Sequence, residues 1–275
     1  MKKTLFICYI IILIPLVSYS DTFRIGLMQA KEGEAKKYRP LLQYLSSFNI
    51  DLKFISFRTY SEAASQFSKG TLDGMFSGSG IAGVFILKNI AYPIVRPLHV
   101  QGWSTYWAVI IAPKGSHDYN NKAGYFNDKK VICSALASSG EFYVRTISTK
   151  INYLKAGTHG MALHALSLKK ADIAVIKNRV WDSLNSKYPN LAKVGQDTGE
   201  NPNNALIISN KANKKTVEKL KNSLLDLKNS KSQKGMAVKK SMTIQGYIPT
   251  TKNDFNHTLS LLKKAGVTPS FDFVF

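Results

Sequence analysis

Strand-like and helix-like segments alternate along this 275-residue chain, and that order restricts its fold more than any other feature. Apolar runs with strand-like patterns predict β-strands over residues 23–28, 50–57, 72–76, 103–112, 131–133, 172–176 and 206–209. Helical spacing of apolar residues predicts helices over residues 40–48, 61–69, 81–88, 139–153, 160–170 and 216–227. This alternation is typical of α/β folds with mostly parallel sheets, in which ligands bind beyond the carboxyl ends of the strands.

The first twenty residues have the layout of a secretory signal peptide. Two lysines precede an apolar run over residues 5–17, and the small residues Ser18 and Ser20 stand at the −3 and −1 positions of a cleavage site. The alternative is an uncleaved membrane anchor, but the run is shorter than the ~20 residues that span a bilayer. We therefore predict cleavage after Ser20 and a periplasmic or secreted protein.

The chain is strongly basic, with 38 Lys and Arg against 17 Asp and Glu and a formal net charge of +21. Nucleic-acid readers favour arginine, whereas here the excess is lysine spread along the chain, and no zinc-finger, RNA-binding or homeodomain pattern occurs. We predict no nucleic-acid partner. Residues 211–240 hold ten lysines, which we interpret as a solvated helix face rather than an anion or membrane contact.

The sequence contains no recognisable catalytic or metal-binding pattern. It lacks a Gly-x-Ser-x-Gly elbow and a phosphate-binding loop with Gly-Lys-Ser/Thr, and His159 and His164 have the wrong spacing for a zinc helix. Cys8 lies in the predicted signal peptide, so Cys133 would be the single thiol of the mature chain, and we expect it to be a buried structural residue. We therefore predict that the protein is not an enzyme and needs neither metal nor cofactor.

A short polar motif marks a candidate anion site. Ser138, Ser139 and Gly140 follow a predicted strand and open a predicted helix, so either serine can be the N-cap. The free N–H groups of the first helical turn could bind an oxyanion there. Taken alone, such a motif is more often a simple helix cap than a ligand site.

Several motifs, taken in order, resemble the periplasmic substrate-binding proteins of phosphate, phosphite and phosphonate ABC transporters. The similar segments cover most of residues 23–230 and are 38–45 (first helix), 59–60 and 69–74, 102–111 (hinge strand), 137–140 (phosphonate loop), 157–174 and 202–209 (return hinge strand).

The resemblance implies a two-lobed fold, each lobe a mostly parallel sheet flanked by helices, with a hinge of two crossing strands. Lobe 1 would be discontinuous, with residues 21–112 plus 205–275, and lobe 2 would span residues 113–204. The resemblance also implies that a set of residues lines the cleft between them: Tyr60, Tyr106, Ser138, Ser139, Gly140 and His159.

Three positions depart from the family pattern. Ala137 stands where the first hydroxyl of the loop is expected, and Arg179 and Asn204 fall near acidic positions that grip the amino group of aminoalkylphosphonates. The positive charge of Arg179 would repel an ammonium group, whereas it would attract a further anionic group. We therefore expect a ligand without a free amine, and we include Arg179 and Asn204 among the candidate binding residues.

The predicted function is capture of a small oxyanion of phosphonate, phosphite or phosphate type and its delivery to the membrane permease of an ABC importer. We expect a monomer. One alternative is a periplasmic sensor that presents its liganded state to a receptor kinase, and another is a secreted protein that binds surfaces through its basic face.

Overall fold

The computed structural model describes residues 22–29, 33–134, 138–147 and 151–273. The predicted signal peptide and Ala137 therefore lie outside the described residues. Within the described ranges, no helix combines the length and apolar character needed to span a bilayer.

Thirteen strands occur in the described chain: β1 (Phe23–Met28), β2 (Leu52–Phe57), β3 (Gly74–Ser77), β4 (Ala91–His99), β5 (Thr105–Tyr106), β6 (Ala108–Pro113), β7 (Lys130–Ser134), β8 (Asn152–Ala156), β9 (Ile173–Lys177), β10 (Leu191–Gln196), β11 (Asn201–Pro202), β12 (Ala205–Ser209) and β13 (Ile244–Pro249). Nine α-helices accompany them in the same ranges: α1 (Arg39–Ser46), α2 (Tyr60–Ser68), α3 (Ser79–Leu87), α4 (Ser139–Ile147), α5 (His159–Ser167), α6 (Asn178–Leu184), α7 (Lys214–Asp226), α8 (Gln233–Met242) and α9 (Asn256–Lys264).

The strands form two larger sheets and one short ribbon. The first sheet has the order β13-β4-β12-β3-β1-β2, and the second has the order β10-β6-β9-β7-β8. In both sheets the three strands at one end are parallel, while the remaining pairs are antiparallel. The ribbon pairs β5 with β11. Strand β5 connects the first sheet to the second, and β11 connects the second sheet back to the first. This is the predicted two-lobed α/β fold, with its two hinge strands.

The two sheets repeat one topology. The series β1-α1-β2-α2-β3-α3 corresponds to β7-α4-β8-α5-β9-α6, and in each case the third strand lies on the opposite side of the first from the second. Parallel strands direct their carboxyl ends, and the helix starts that follow, to one edge of a sheet. Three such turns per sheet are therefore available to a shared site.

Helices cover both faces of each sheet. Two large apolar clusters pack on the faces of the first sheet, and two smaller clusters pack on the faces of the second. The buried ring of Phe142, on α4, belongs to a cluster of the first sheet, so the second half of the molecule packs directly against the first. Cys133 is buried in β7, as expected, and burial raises the pKa of its thiol.

Some predicted elements differ from the observed ones. The helix predicted over 139–153 ends at Ile147, and Asn152–Ala156 forms β8 instead, because these residues pair with β7 along its whole length. The predicted strand 103–112 is divided into β5 and β6. Strand β6 pairs with β9 and β10 of the second sheet, although the sequence placed residues up to 112 in lobe 1. The predicted lobe boundaries otherwise remain a prediction.

Candidate ligand-binding site

A cavity of about 440 Å³ lies where the carboxyl ends of the parallel strands of both sheets meet. It is lined by residues from all six strand-to-helix turns and by one hinge residue: Met28, Glu34, 58–61, 78–81, Tyr106, Ser134, Ser138, Ser139, 157–159 and Lys177. The repeated topology of the two sheets thus creates one shared site from three turns of each.

Four helices of nine residues each begin at this cavity. Thr59 and Thr158 occupy equivalent N-cap positions of α2 and α5, and each side chain accepts a hydrogen bond from a backbone N–H of its own helix. Ser138 does the same for α4, accepting from the backbone N–H of Glu141 at 3.1 Å. The positive ends of four helix dipoles therefore surround one cavity, an arrangement that favours an anion.

A half-buried cation adds to this positive potential. Lys177, the last residue of β9, has its Nζ 4.1 Å from the centre of the Tyr106 ring and donates a hydrogen bond to Asn203 Oδ1 at 3.2 Å. None of the described ion pairs involves Lys177. Burial without a counter-charge lowers the pKa of its ammonium group to about 8, because the charged form loses its hydration. An anionic ligand would supply that missing counter-charge.

Tyr106 connects the two halves of the site. Ser139, at the start of α4, donates a hydrogen bond to the Tyr106 hydroxyl at 2.8 Å. The same hydroxyl lies 2.5 Å from Ser79 Oγ, at the start of α3. All three residues are buried, and burial raises the pKa of Tyr106, so its hydroxyl stays protonated at neutral pH. This chain of hydroxyls joins the starts of two helices from opposite sheets through the hinge.

His159 enters the cavity as a neutral imidazole. Its Nε2 lies 3.4 Å from Ser134 Oγ, and its Nδ1 is buried without a hydrogen-bond partner among the described residues. Burial, and secondarily the charge of Lys177, lower the pKa of His159 to about 3. At neutral pH this ring can therefore donate one hydrogen bond but adds no charge.

Five of the eight predicted site residues line the cavity: Tyr60, Tyr106, Ser138, Ser139 and His159. Gly140 does not line it. A Cβ at Gly140 would lie 3.1 Å from the carbonyl oxygen of Val175, so this glycine allows α4 to pack closely on β9. The described structure thus shows a packing contact at Gly140, and its contact with a ligand remains a prediction.

Arg179 and Asn204 also lie outside this cavity, contrary to the expectation for them. Arg179 is on α6, where its guanidinium carbon lies 4.9 Å and 5.2 Å from the ring centres of Trp103 and Trp107. Asn204 donates a hydrogen bond to the Tyr38 hydroxyl at 3.2 Å and lines a separate cavity of about 120 Å³. The basic residues that do line the cavity are Lys177 and Arg58.

Sequence reasoning missed Lys177, Arg58 and Ser79 as site residues. Each follows or ends a strand at the same edge as the predicted residues, so the strand-to-helix position was a usable signal. The chain has 32 lysines, and no local pattern distinguishes Lys177 from the others. Its partial burial depends on the packing of β9 against the hinge. The described residues contain no group of three or more His, Cys, Asp or Glu that could hold a metal ion.

A family model described as the periplasmic substrate-binding protein of phosphonate ABC transporters matches residues 27–255. No curated protein sequence matches the chain significantly.

Solved structures with the same fold include a binding-protein component of an ABC phosphonate transporter from Pseudomonas aeruginosa. It is 14% identical, with a TM-score of 0.68 over 88% of this chain and 86% of that chain. PhnD1 from Prochlorococcus marinus, in complex with methylphosphonate, is 14% identical, with a TM-score of 0.69 over 89% and 98% of the two chains. A Xanthomonas citri protein bound to ATP is 13% identical, with a TM-score of 0.73 over 92% and 99%. At these identities the similarity establishes the fold alone.

Proposed function

Because the chain belongs to the family of periplasmic substrate-binding proteins of phosphonate ABC transporters, we propose that its cavity captures a phosphonate- or phosphate-type oxyanion and presents it to an importer. The family is a transport component rather than an enzyme. We infer that the ligand is released chemically unaltered to a membrane permease. We also propose that the protein loses residues 1–20 on export. It would then act as a monomer in the periplasm.

The observation that carries this proposal is the half-buried ammonium of Lys177, which lines a cavity where four helices begin. Hydrogen bonds between charged groups in a cavity shielded from water are stronger than those between neutral groups. Glu34 is the only acidic residue among the described cavity residues, and it is solvent-exposed. The deep part of the site therefore matches a phosphonyl or phosphoryl group and disfavours an amine placed close to it.

Some hydroxyl groups in the cavity lining have a proton that a ligand could accept, whereas others already donate theirs to another protein group. Ser139 donates to Tyr106, so its proton is engaged within the protein. Ser138 only accepts a hydrogen bond in the described structure, so its proton is free to bind an oxyanion. We therefore assign direct contact to Ser138, Lys177, His159 and the backbone N–H groups of the helix starts. Tyr106 and Ser139 position these groups across the hinge.

Calorimetry tests the proposal on protein that has been exported and processed by its host, then unfolded and refolded to remove carried-over ligand. The titrants are phosphate, phosphite, methylphosphonate, 2-aminoethylphosphonate and sulfate. We expect micromolar or tighter binding of a phosphorus oxyanion and weaker binding of the aminophosphonate. Binding of the aminophosphonate above all others would contradict the role given to Lys177, and absence of binding to any phosphorus oxyanion would refute the proposed function.

A further inference from the structure

The two walls of the cavity differ in chemical character. The second sheet contributes seven lining residues, and every one of them is polar or glycine. The apolar lining residues, Met28 and Ile81, both come from the first sheet, and the half-buried ring of Tyr60 belongs to the same apolar cluster. The other lining residues of the first sheet are polar or glycine. We call the second-sheet side the polar wall and the side with Met28, Tyr60 and Ile81 the apolar wall.

The cavity is also larger than a phosphonate group requires. Its volume of about 440 Å³ corresponds to roughly fifteen water molecules at about 30 Å³ each. A head group of one phosphorus and three oxygen atoms would fill only a small part of this volume. Most of the cavity would then remain for another part of the ligand, and the apolar wall borders it.

We propose, as an extension of the proposed function, that the ligand is a phosphonate or phosphate monoester with an extended apolar substituent that lies along the apolar wall. The charged head binds the polar wall, where Lys177 and the starts of α4 and α5 are located. The substituent displaces water from the half-buried side chains of Met28 and Tyr60, next to the buried side chain of Ile81. Arg58 and Glu34, both solvent-exposed, line the cavity on the side of the apolar wall, so a polar end of the substituent would meet them rather than the buried head-group site.

Removal of apolar surface from water predicts how the affinity should vary with substituent length. Each buried methylene contributes about 0.8 kcal/mol, which corresponds to roughly fourfold in the dissociation constant. We expect the affinity for n-alkylphosphonates to rise by about threefold to fourfold per methylene from methyl to butyl. A simple oxyanion site would instead bind methylphosphonate as tightly as the longer members, or more tightly.

Calorimetry with methyl-, ethyl-, propyl- and butylphosphonate tests this proposal on the full protein and on two variants. Met28→Gln makes the apolar wall more polar at nearly constant size, and we expect its loss of affinity to grow with chain length. The matched control is Met161→Gln on α5, since Met161 is 55% exposed and does not line the cavity; it should leave the whole series unchanged.

The outcomes separate this proposal from the proposed function. Binding of phosphate and methylphosphonate without a gain for longer chains would overturn the apolar substituent and leave the oxyanion function intact. Equal losses for all chain lengths in Met28→Gln would also overturn it. Failure of every phosphonate and of phosphate would refute the oxyanion function itself.

Discussion

The Nζ of Lys177 lies 4.1 Å from the centre of the Tyr106 ring, with no described carboxylate paired to it. The ammonium group is thus held by a ring face and by one amide oxygen, that of Asn203. A cation–π contact of this kind stabilises the charge less than a carboxylate would, and it leaves one side of the ammonium free for an anion. The pair joins the hinge to the second sheet and places a cation in the lining of the cavity.

Removal of this cation should weaken ligand binding. Lys177→Met keeps the length and apolar stem of the side chain but deletes its charge. We expect a roughly 10- to 100-fold loss of affinity for the phosphorus oxyanion, the usual effect of losing one hydrogen bond to a charged group. Calorimetry measures the loss. Unchanged affinity, in a variant with normal circular dichroism, would remove Lys177 from the site.

The same residue predicts a pH dependence. The pKa of Lys177 is about 8 in the ligand-free protein, so the ammonium group is charged below pH 8 and neutral above it. An anion favours the charged form, and its affinity should therefore fall by up to tenfold per pH unit as the pH rises above 8. Titrations between pH 6 and pH 10 measure this slope. Lys177→Met is the control, since any slope it retains belongs to the ligand or to other groups.

Gly140 and Gly160 provide a matched pair, because each is the second residue of its helix. A Cβ at Gly140 would lie 3.1 Å from the Val175 carbonyl oxygen, whereas the nearest atom to a Cβ at Gly160 is 3.7 Å away. We expect Gly140→Ala to lower the free energy of unfolding by about 1–3 kcal/mol through overpacking. Gly160→Ala should raise it by about 0.4–1 kcal/mol by restricting the unfolded chain.

Urea denaturation measures both glycine variants. A neutral Gly140→Ala would show that α4 can move away from β9 without cost. That result would then require another reason for the glycine at this position.

Arg179 should contribute to stability and not to ligand contact. Its guanidinium group stacks near two indole rings outside the cavity, so Arg179→Ala should lower the free energy of unfolding by about 1–2 kcal/mol. The affinity of the variant for the oxyanion should stay within about threefold of the parent value, because only the loss of a hydrogen bond to a charged group would lower it further. Calorimetry and urea denaturation give the two numbers, and a tenfold affinity loss without destabilisation would return Arg179 to the site.

The Ser138 and Ser139 hydroxyls should have different effects on binding. Ser138→Ala removes the N-cap of α4 and the proton assigned to the ligand, so we expect a loss of roughly 10-fold or more. Ser139→Ala breaks the link to Tyr106 and should have the smaller effect on affinity. Ser183→Ala is the control, because that hydroxyl bonds its own helix at Val180 on the surface. Calorimetry on the three variants decides the order, and a larger effect of Ser139 would reverse the assigned roles.

Local patterns in the sequence determined the positions of many strands and helices and one turn where a ligand could bind, but they did not predict β4, β10, β13, α6, α8 or α9. Apolar periodicity located most strands and helices, and the serines before α4 marked an anion-binding helix start, because caps and periodicity depend on neighbours in the chain. The strand β8 was missed because its edge position leaves it only half-buried, so its apolar pattern is weak. The family resemblance then indicated the two-lobed fold, which was confirmed.

Only the tertiary structure decided which side chains meet. Lys177 and Arg179 are two residues apart, yet the end of β9 places one in the cavity and the first turn of α6 places the other against Trp103 and Trp107. The hydroxyls of Ser79 and Ser139 are 60 positions apart in sequence and come together only because Tyr106 in the hinge bonds both. Burial, charge and donor geometry in this site arise from packing between distant segments, and no local pattern in a single sequence encodes them.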